Sequence, residues 1–403
     1  MKTVMVIAGG NWQVPLIKKL KEEGYIVVVS NLYPDSIGFK YADYAEVADV
    51  RDKKRNLEIA LKYNADVIVT DQSDIAVPTV AYVSEKMALP TIGLEMAELF
   101  TNKYMMRSFC EQNGFAYPDY KRVTSIEDAL EVYKTWDKTA IIKPLDSQSS
   151  RGVFIINTSQ DIIDNFEETQ SFSGDKESVL IEQYIYGTEF TADGIVCNGK
   201  HYTLAISEKE HYDYNESIAS SLFFSYKNER YDYNKLRFIN DKLIEKAGLP
   251  FGLTHAEYKY SNGEFYLIEV AARGGGTRIS SDIVPAVSGI DNYKIWIDEI
   301  LGKGNISVNK TVIEANSEKC AILKFLDIKE TGKRIAAING IDEIKKMTGV
   351  IDFQVEFKVG DVIHNAKDDR SRVGFYIAEA ESKEALTVLI KQIERLFVIE
   401  YEV

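Results

Sequence analysis

The stretch that decides the fold runs from residue 253 to residue 279: LTHAEYKYSNGEFYLIEVAARGGGTRI. Two β-patterned runs flank Asn262-Gly263, a dipeptide suited to a two-residue hairpin turn. Side chains alternate along a strand, so His255, Glu257 and Lys259 share one face. Folding about the turn brings Glu257 close to Glu269 on the second strand. Two neighbouring carboxylates repel unless a cation lies between them. Hard oxygen donors of this kind suit Mg²⁺, with Mn²⁺ as an alternative, which completes its shell with phosphate oxygens and water. A pair of acids solvating a sheet edge is the plainer account. Arg273 just beyond adds a planar cation able to grip a transferring phosphoryl oxygen. Gly274, Gly275 and Gly276 would let backbone amides approach an anion with no Cβ in the way.

Outward from this hairpin, the chain of 403 residues is long enough for two or three domains. A net charge of −14 argues against a nucleic-acid-binding face, which needs clustered Lys and Arg. Cys110, Cys197 and Cys320 are far apart and odd in number, and no CxxC pair occurs, which fits a reduced, cytoplasmic compartment. The opening MKTVMVIAGG reads as a buried first strand rather than a secretory signal. No apolar run reaches the length of a membrane span.

Residues 1–100 alternate continuous apolar strands with amphipathic helices, the pattern of a parallel sheet covered on both faces. Gly9-Gly10 lacks the G-x-G-x-x-G spacing and reads as a tight strand-to-helix turn. Residues 101–305 are richer in β patterns. TAIIKPLDSQSSRGVFII (139–156) reads as strand, polar loop, strand. SVLIEQYIYGTEFTADGIVCNGKHYTLAISE (178–208) reads as one antiparallel meander turning at Asn198-Gly199. Residues 306–403 read as a further small α/β unit. A lysine on a strand before a Ser/Gly loop, as at Lys143, supplies a point charge plus amides for polyphosphate.

The hairpin and its exit resemble the closing element of the ATP-grasp superfamily, which ends its metal site in E-x-N-x-R with a second acid on the preceding strand. Other family elements recur upstream in order. Lys103 in TNKYMMRSFCEQNGF is similar to the lysine that reaches the α-phosphate, and Lys143 in AIIKPLDSQSSRGV to the second phosphate lysine. Ser147, Ser149, Ser150, Arg151 and Gly152 lie in what resembles the flap over the phosphates. In IEQYIYGTEFTADG the resemblance puts Glu182, Tyr184 and Ile185 where adenine is read, and Glu189 where the ribose is held. SRVGFYIAEAESKEAL (371–386) looks like the closing domain of biotin-carboxylase-like members.

The resemblance spans nearly the whole chain. It implies a three-part α/β architecture with an α+β centre: an N-terminal domain over 1–100, an ATP-grasp domain over 101–305 with a lid at about 112–187, and a C-terminal domain over 306–403. It implies a ligase that uses ATP to join a small-molecule carboxylate and an amine, with release of ADP and phosphate. Lys143 and Arg273 would be catalytic, and Glu257 and Glu269 would hold Mg²⁺. His255, Arg273, Gly275 and Arg278 would meet substrate, a surface salt bridge being the alternative for Arg278. The run R-x-G-G resembles the amino-acid ligases. Ala271 stands where the metal-ligating Asn is usual, so one metal would rely on water, or the chain would bind nucleotide without turnover. A phosphoribosylglycinamide-synthetase-like or carboxylase-like enzyme is the nearer rival. No nucleic-acid or membrane partner is expected, and a homodimer is compatible with the family.

Overall fold

The computed structural model describes every residue except Asp137, Gln148, Ser149, Asn305, Lys329 and Val403. The first unit is a four-stranded parallel sheet of Thr3–Ile7 (β1), Ile26–Asn31 (β2), Tyr44–Val47 (β3) and Val67–Val69 (β4), in the order β3-β2-β1-β4. Every residue of β1 and β4 is buried, as a sheet with helices on both faces requires. The helix Val14–Glu22 starts with Pro15 in its first turn, and Gly24 at φ +82° reverses the chain after it. The edge strand β3 was not foreseen: its Tyr44, Ala45 and Val47 are exposed and show no buried alternation.

The second unit is a small sheet of Tyr120–Val123 (β5), Ala140–Lys143 (β6), Phe154–Ile156 (β7) and Val179–Gln183 (β8), ordered β5-β8-β6-β7. Helices Ile126–Trp136 and Ser159–Ser171 bury their apolar stripes against it. The third and largest sheet has eight antiparallel strands. They are Thr188–Cys197 (β9), Lys200–Tyr212 (β10), Asn215–Ser225 (β11), Gly252–Ser261 (β12), Glu264–Ala271 (β13) and Cys320–Phe325 (β14), joined, past the short strand Ile335–Asn339 (β15), by Val350–Val355 (β16) and Gly374–Ala380 (β17). Their order is β13-β12-β9-β10-β11-β14-β17-β16. Val398–Tyr401 (β18) pairs with β15.

Two differences from the sequence reading follow. Residues 178–208 are not one meander, because β8 ends in the small sheet and β9 begins in the large one. The alternation is unbroken across them, and only Gly187 marks the joint. The only sheet that residues after 306 form among themselves is the two-stranded pair β15-β18, because β14 pairs with β11 and carries the large sheet onward into β17 and β16. One apolar cluster accordingly runs from Val4 and Val6 of β1 through Phe224 to Phe375 and Ile377. Among the described residues no helix is long and apolar enough to cross a membrane.

Gly187 at φ +145° packs so closely that an added Cβ would lie 1.9 Å from the Tyr260 carbonyl oxygen. Gly199, at φ +67° in the β9–β10 turn, has open space around it. Replacing either with alanine places a side chain in a left-handed conformation, which costs about 1 kcal/mol or more. Only Gly187→Ala must also move backbone. Thermal unfolding is therefore expected to show a larger drop in Tm for Gly187→Ala than for Gly199→Ala, and equal drops would contradict the close approach.

Candidate nucleotide and carboxylate site

The decisive hairpin forms as expected, with one irregularity. Glu257 lies opposite Glu269 and His255 opposite Ala271, but Tyr258 pairs with Leu267, so Ile268 is an extra residue in β13. Such a bulge bends the strand and frees a carbonyl from the ladder. The Ile268 oxygen accepts a hydrogen bond of 2.5 Å from Arg107 Nη2. Arg107 is fully buried, and its Nε also donates to Glu182 Oε1 at 2.8 Å. Lys143 Nζ lies 2.6 Å from the other oxygen of Glu182.

Glu182, expected near a base, lines the cavity with Arg107 and Lys143 on its two side-chain oxygens, and so positions Lys143. Burial alone would raise the Glu182 carboxyl pKa, yet the two cations outweigh it and hold the value below the usual range. Lys143 is left short of compensation. Burial lowers it to about 8, Arg107 and Lys103 add repulsion, and Glu182 recovers only part of the loss.

Lys103 opens the helix Lys103–Asn113, which Asn102 caps through its side-chain oxygen on Met105 N–H. Its ammonium donates to Glu269 Oε1 and to the Ser147 carbonyl, both at 2.8 Å. Lys209 on β10 plays the matching part for the other acid. Its Nζ lies 2.5 Å from Glu189 Oε1 and 3.0 Å from Glu257 Oε1. His255 Nδ1 is 2.9 Å from Asp193 Oδ1, and its Nε2 is 3.5 Å from Glu257 Oε1. Burial disfavours the charged forms of Glu189, Glu257 and His255. Lys209 nevertheless holds Glu189 down at about 2 and Glu257 well below its usual value, while Asp193 lifts His255 to about 9.

These side chains line a single cavity of about 650 Å³, within the usual range for small-molecule sites. The N-terminal unit contributes Gln72 and Asp74 to it, the small sheet Lys143 and Glu182, and the large sheet Glu189, Lys209, Glu257 and Glu269. Ser147 and Ser150 reach it from the loop, as do Tyr184 and Ile185 from the segment leading to β9. Lys259 sits 4.3 Å over the Tyr184 ring and donates to its hydroxyl at 3.1 Å. Ser149 lies outside the described residues.

Other expected contacts are absent. Arg151 stacks at 5.8 Å over Phe172, and Gly152 is packed between Phe172 and Pro144, so neither lines the cavity. Arg278 pairs with Asp282 at 2.6 Å and with Asp352, the salt-bridge alternative, and does not line the cavity. The glycine run is not an open amide cradle. Gly274 N–H donates to Asp71 Oδ1 at 2.8 Å, and a Cβ on Gly275 would strike Asp193 Oδ1 at 2.5 Å. The first two glycines are thus required for close packing, and only Gly276 reaches the cavity.

Arg273 does line the cavity, but it is not unpaired. Asp74 grips it in a fork, with Nε–Oδ1 2.8 Å and Nη2–Oδ2 2.6 Å. Sequence reading missed Arg107, Lys209, Asp74 and Asp193. Each lies far along the chain from the residue it serves, and none sits in a distinctive local pattern.

Glu257 and Glu269, in register on adjacent strands, form a donor set that fits a hard divalent cation. Among the described residues no group of three or more His, Cys, Asp or Glu gathers as a ready-made metal cage. Two carboxylates without further protein ligands match a metal that arrives with phosphate oxygens and water in its shell.

Residues 137–282 match the ATP-grasp domain, and residues 324–402 match the L-amino acid ligase C-terminal domain 2. The chain is 22% identical over 382 residues to an L-arginine-specific L-amino acid ligase of Bacillus subtilis, covering 89% of this chain and 88% of that one. It is 22% identical over 321 residues to dapdiamide A synthase of Enterobacter agglomerans, covering 74% and 71% respectively. The crystal structure of an L-amino acid ligase from Bacillus licheniformis superposes with a TM-score of 0.80 at 18% identity, covering 100% of this chain and 99% of that one. The chain thus carries an ATP-grasp domain, with two lysines and paired acids around one cavity, followed by an L-amino acid ligase C-terminal domain.

Proposed function

We propose that the protein joins the carboxylate of one amino acid to the amine of another at the expense of ATP, through an acyl phosphate. One observation carries this reading: Lys103, Lys143, Glu257, Glu269 and Arg273 face the same cavity from three parts of the chain. The amino-acid substrates are supported by the matched C-terminal domain and by the relative named as an L-arginine-specific L-amino acid ligase.

The substrate carboxylate attacks the γ-phosphorus, the bond to the bridging oxygen breaks, and ADP leaves. The amine nitrogen then attacks the acyl carbon, phosphate departs, and the nitrogen loses a proton. Lys143 and Lys103 hold phosphate oxygens. Ser147 Oγ, buried without a partner among the described residues, supplies a further donor. Asp74 fixes the plane of Arg273, so the guanidinium meets developing charge without reorganising first. Mg²⁺ held by Glu257 and Glu269 would neutralise phosphate charge. Positioning and electrostatics carry most of the rate, as is general for phosphoryl transfer. Three buried free thiols support a reducing, cytoplasmic setting.

The Lys143 ammonium gives a pH test. The free enzyme loses this proton near pH 8. Phosphate favours the charged form, so ATP binding raises the pKa and takes up a proton wherever the free enzyme is neutral. Calorimetry at about pH 8.5 in buffers of different ionisation enthalpy is expected to show proton uptake, with ATP affinity falling as pH rises beyond 8. Lys143→Met should abolish the uptake and weaken ATP far more than adenosine. Unchanged uptake in the variant would remove Lys143 from the phosphate site.

Glu269→Gln and Arg273→Lys separate metal from transferred charge. The first removes a metal donor's charge and is expected to abolish ADP release at any Mg²⁺ concentration up to tens of millimolar. The second keeps the charge but loses the fork that Asp74 holds. It should leave Mg-ATP affinity within about twofold and lower kcat by roughly 10²-fold, on the scale of losing one oxyanion donor. A Glu269→Gln enzyme with wild-type Mg²⁺ dependence would refute the metal assignment.

A further inference from the structure

The cavity extends along the large sheet beyond the charged groups, and there its wall changes character. In the strand order, β11, β14 and β17 lie three, four and five places on from β12, which carries Glu257. At about 4.8 Å per strand this is on the order of 15–25 Å across the sheet. Leu222, Leu323, Phe325 and Phe375 face the cavity from these strands, each 5% exposed or less. Trp12 closes the wall from the N-terminal unit, with its ring centroid 5.7 Å from that of Phe375. Phe325 and Phe375 are 6.5 Å apart in an edge arrangement.

Near this wall Arg372 is paired, and the acids Glu216 and Glu356 are exposed. The Arg372 guanidinium lies 3.7 Å over the Phe325 ring, with Nη2 2.9 Å from the Ala219 carbonyl oxygen and 2.7 Å from Asp369 Oδ1. Glu356, just past the Gln354–Phe375 pair, is an exposed acid at the rim. A carboxylate placed against Trp12 and the phenylalanines would lose hydration with little in return, and the Phe325 face that could stack on a guanidinium already carries Arg372. A large apolar one would leave water and gain close aromatic contacts.

We propose that this compartment receives the side chain of one of the two amino-acid substrates, and that this side chain is large and apolar, aromatic or branched aliphatic. The inference rests on the ligase reading and adds the substrate class to it. Loss of a few methylenes from a ligand in such a pocket typically changes kcat/KM by about tenfold to a hundredfold.

The test is ADP release by the full chain with Mg-ATP, over all pairs of the twenty standard amino acids. Pairs containing Phe, Tyr, Trp, Leu, Ile or Met are expected to react at least about tenfold faster than pairs without one. In Trp12→Ala the KM of the apolar member should rise about tenfold, with the KM of ATP unchanged. Ala219→Leu narrows the compartment and should shift preference from aromatic to smaller apolar partners. Trp12 is only partly buried, so this pair of variants does not depend on Phe375 tolerating change. Fastest release from pairs with no apolar member would overturn the proposal and leave the ligase reading standing. So would a preference for Arg or Lys that Glu356→Gln removes. No release from any pair would overturn both this inference and the amino-acid part of the ligase reading.

Discussion

Arg107 holds the site together. Fully buried, it joins the carboxylate of Glu182 in the small sheet to the bulged carbonyl of Ile268 in the large one. A buried guanidinium without partners would carry a desolvation penalty of several kcal/mol, and removing one member of a buried pair typically costs about 3–5 kcal/mol. The two sheets therefore cannot separate at this point without exposing or orphaning charge. Lys143 shares Glu182 with Arg107, so the position of the lysine proposed to meet phosphate depends on the same contact. The bulge is part of the device, because a regular strand would keep the Ile268 carbonyl in its ladder.

Elsewhere in the cavity each acid that could bind metal already has a lysine: Lys103 for Glu269 and Lys209 for Glu257. These pairs keep two carboxylates in register on neighbouring strands without net repulsion. On the proposed reading a nucleoside triphosphate carries more negative charge than one Mg²⁺ neutralises, so the lysines would gain phosphate as a partner where the carboxylates would hold the metal. Such an exchange would keep every buried charge compensated, which an apolar site could not do. Lys209 touches both Glu189 and Glu257, so the acid expected at the ribose and the acid expected at the metal share one cation.

The hairpin, the parallel N-terminal sheet and the strand that carries Lys143 were legible because each has a local signature. Asn262-Gly263 specifies a turn, buried strands read as continuous apolar runs, and Lys143 stands on such a run before a polar loop. The ordered motifs of the resemblance supplied the rest of the family reading. What escaped was set by long-range pairing. Nothing near Asp74 announces Arg273, 199 residues away. Nothing in FYLIEVAA shows that Ile268 is an extra residue, since the bulge exists only relative to β12. The glycine run was read for its freedom, whereas Gly274 and Gly275 are small because Asp71 and Asp193 lie against them.

That last point changes the role of the N-terminal unit. Asp71 accepts from Gly274 N–H with one oxygen, and with the other from Ser280 Oγ at 2.7 Å and Tyr293 OH at 2.5 Å. Three residues on, Asp74 grips Arg273. Both aspartates follow β4 at the carboxyl end of the parallel sheet, the end where ligands settle in open α/β folds. In this chain the sheet offers that end to a neighbouring segment of protein, fixing the exit of β13 and the plane of its arginine. Trp12, from the turn after β1, leaves the same end and meets Phe375 across the cavity. The same end of this sheet thus contributes to both the arginine end and the apolar end of the cavity, and that gives a unit without a nucleotide motif of its own a direct part in shaping the site.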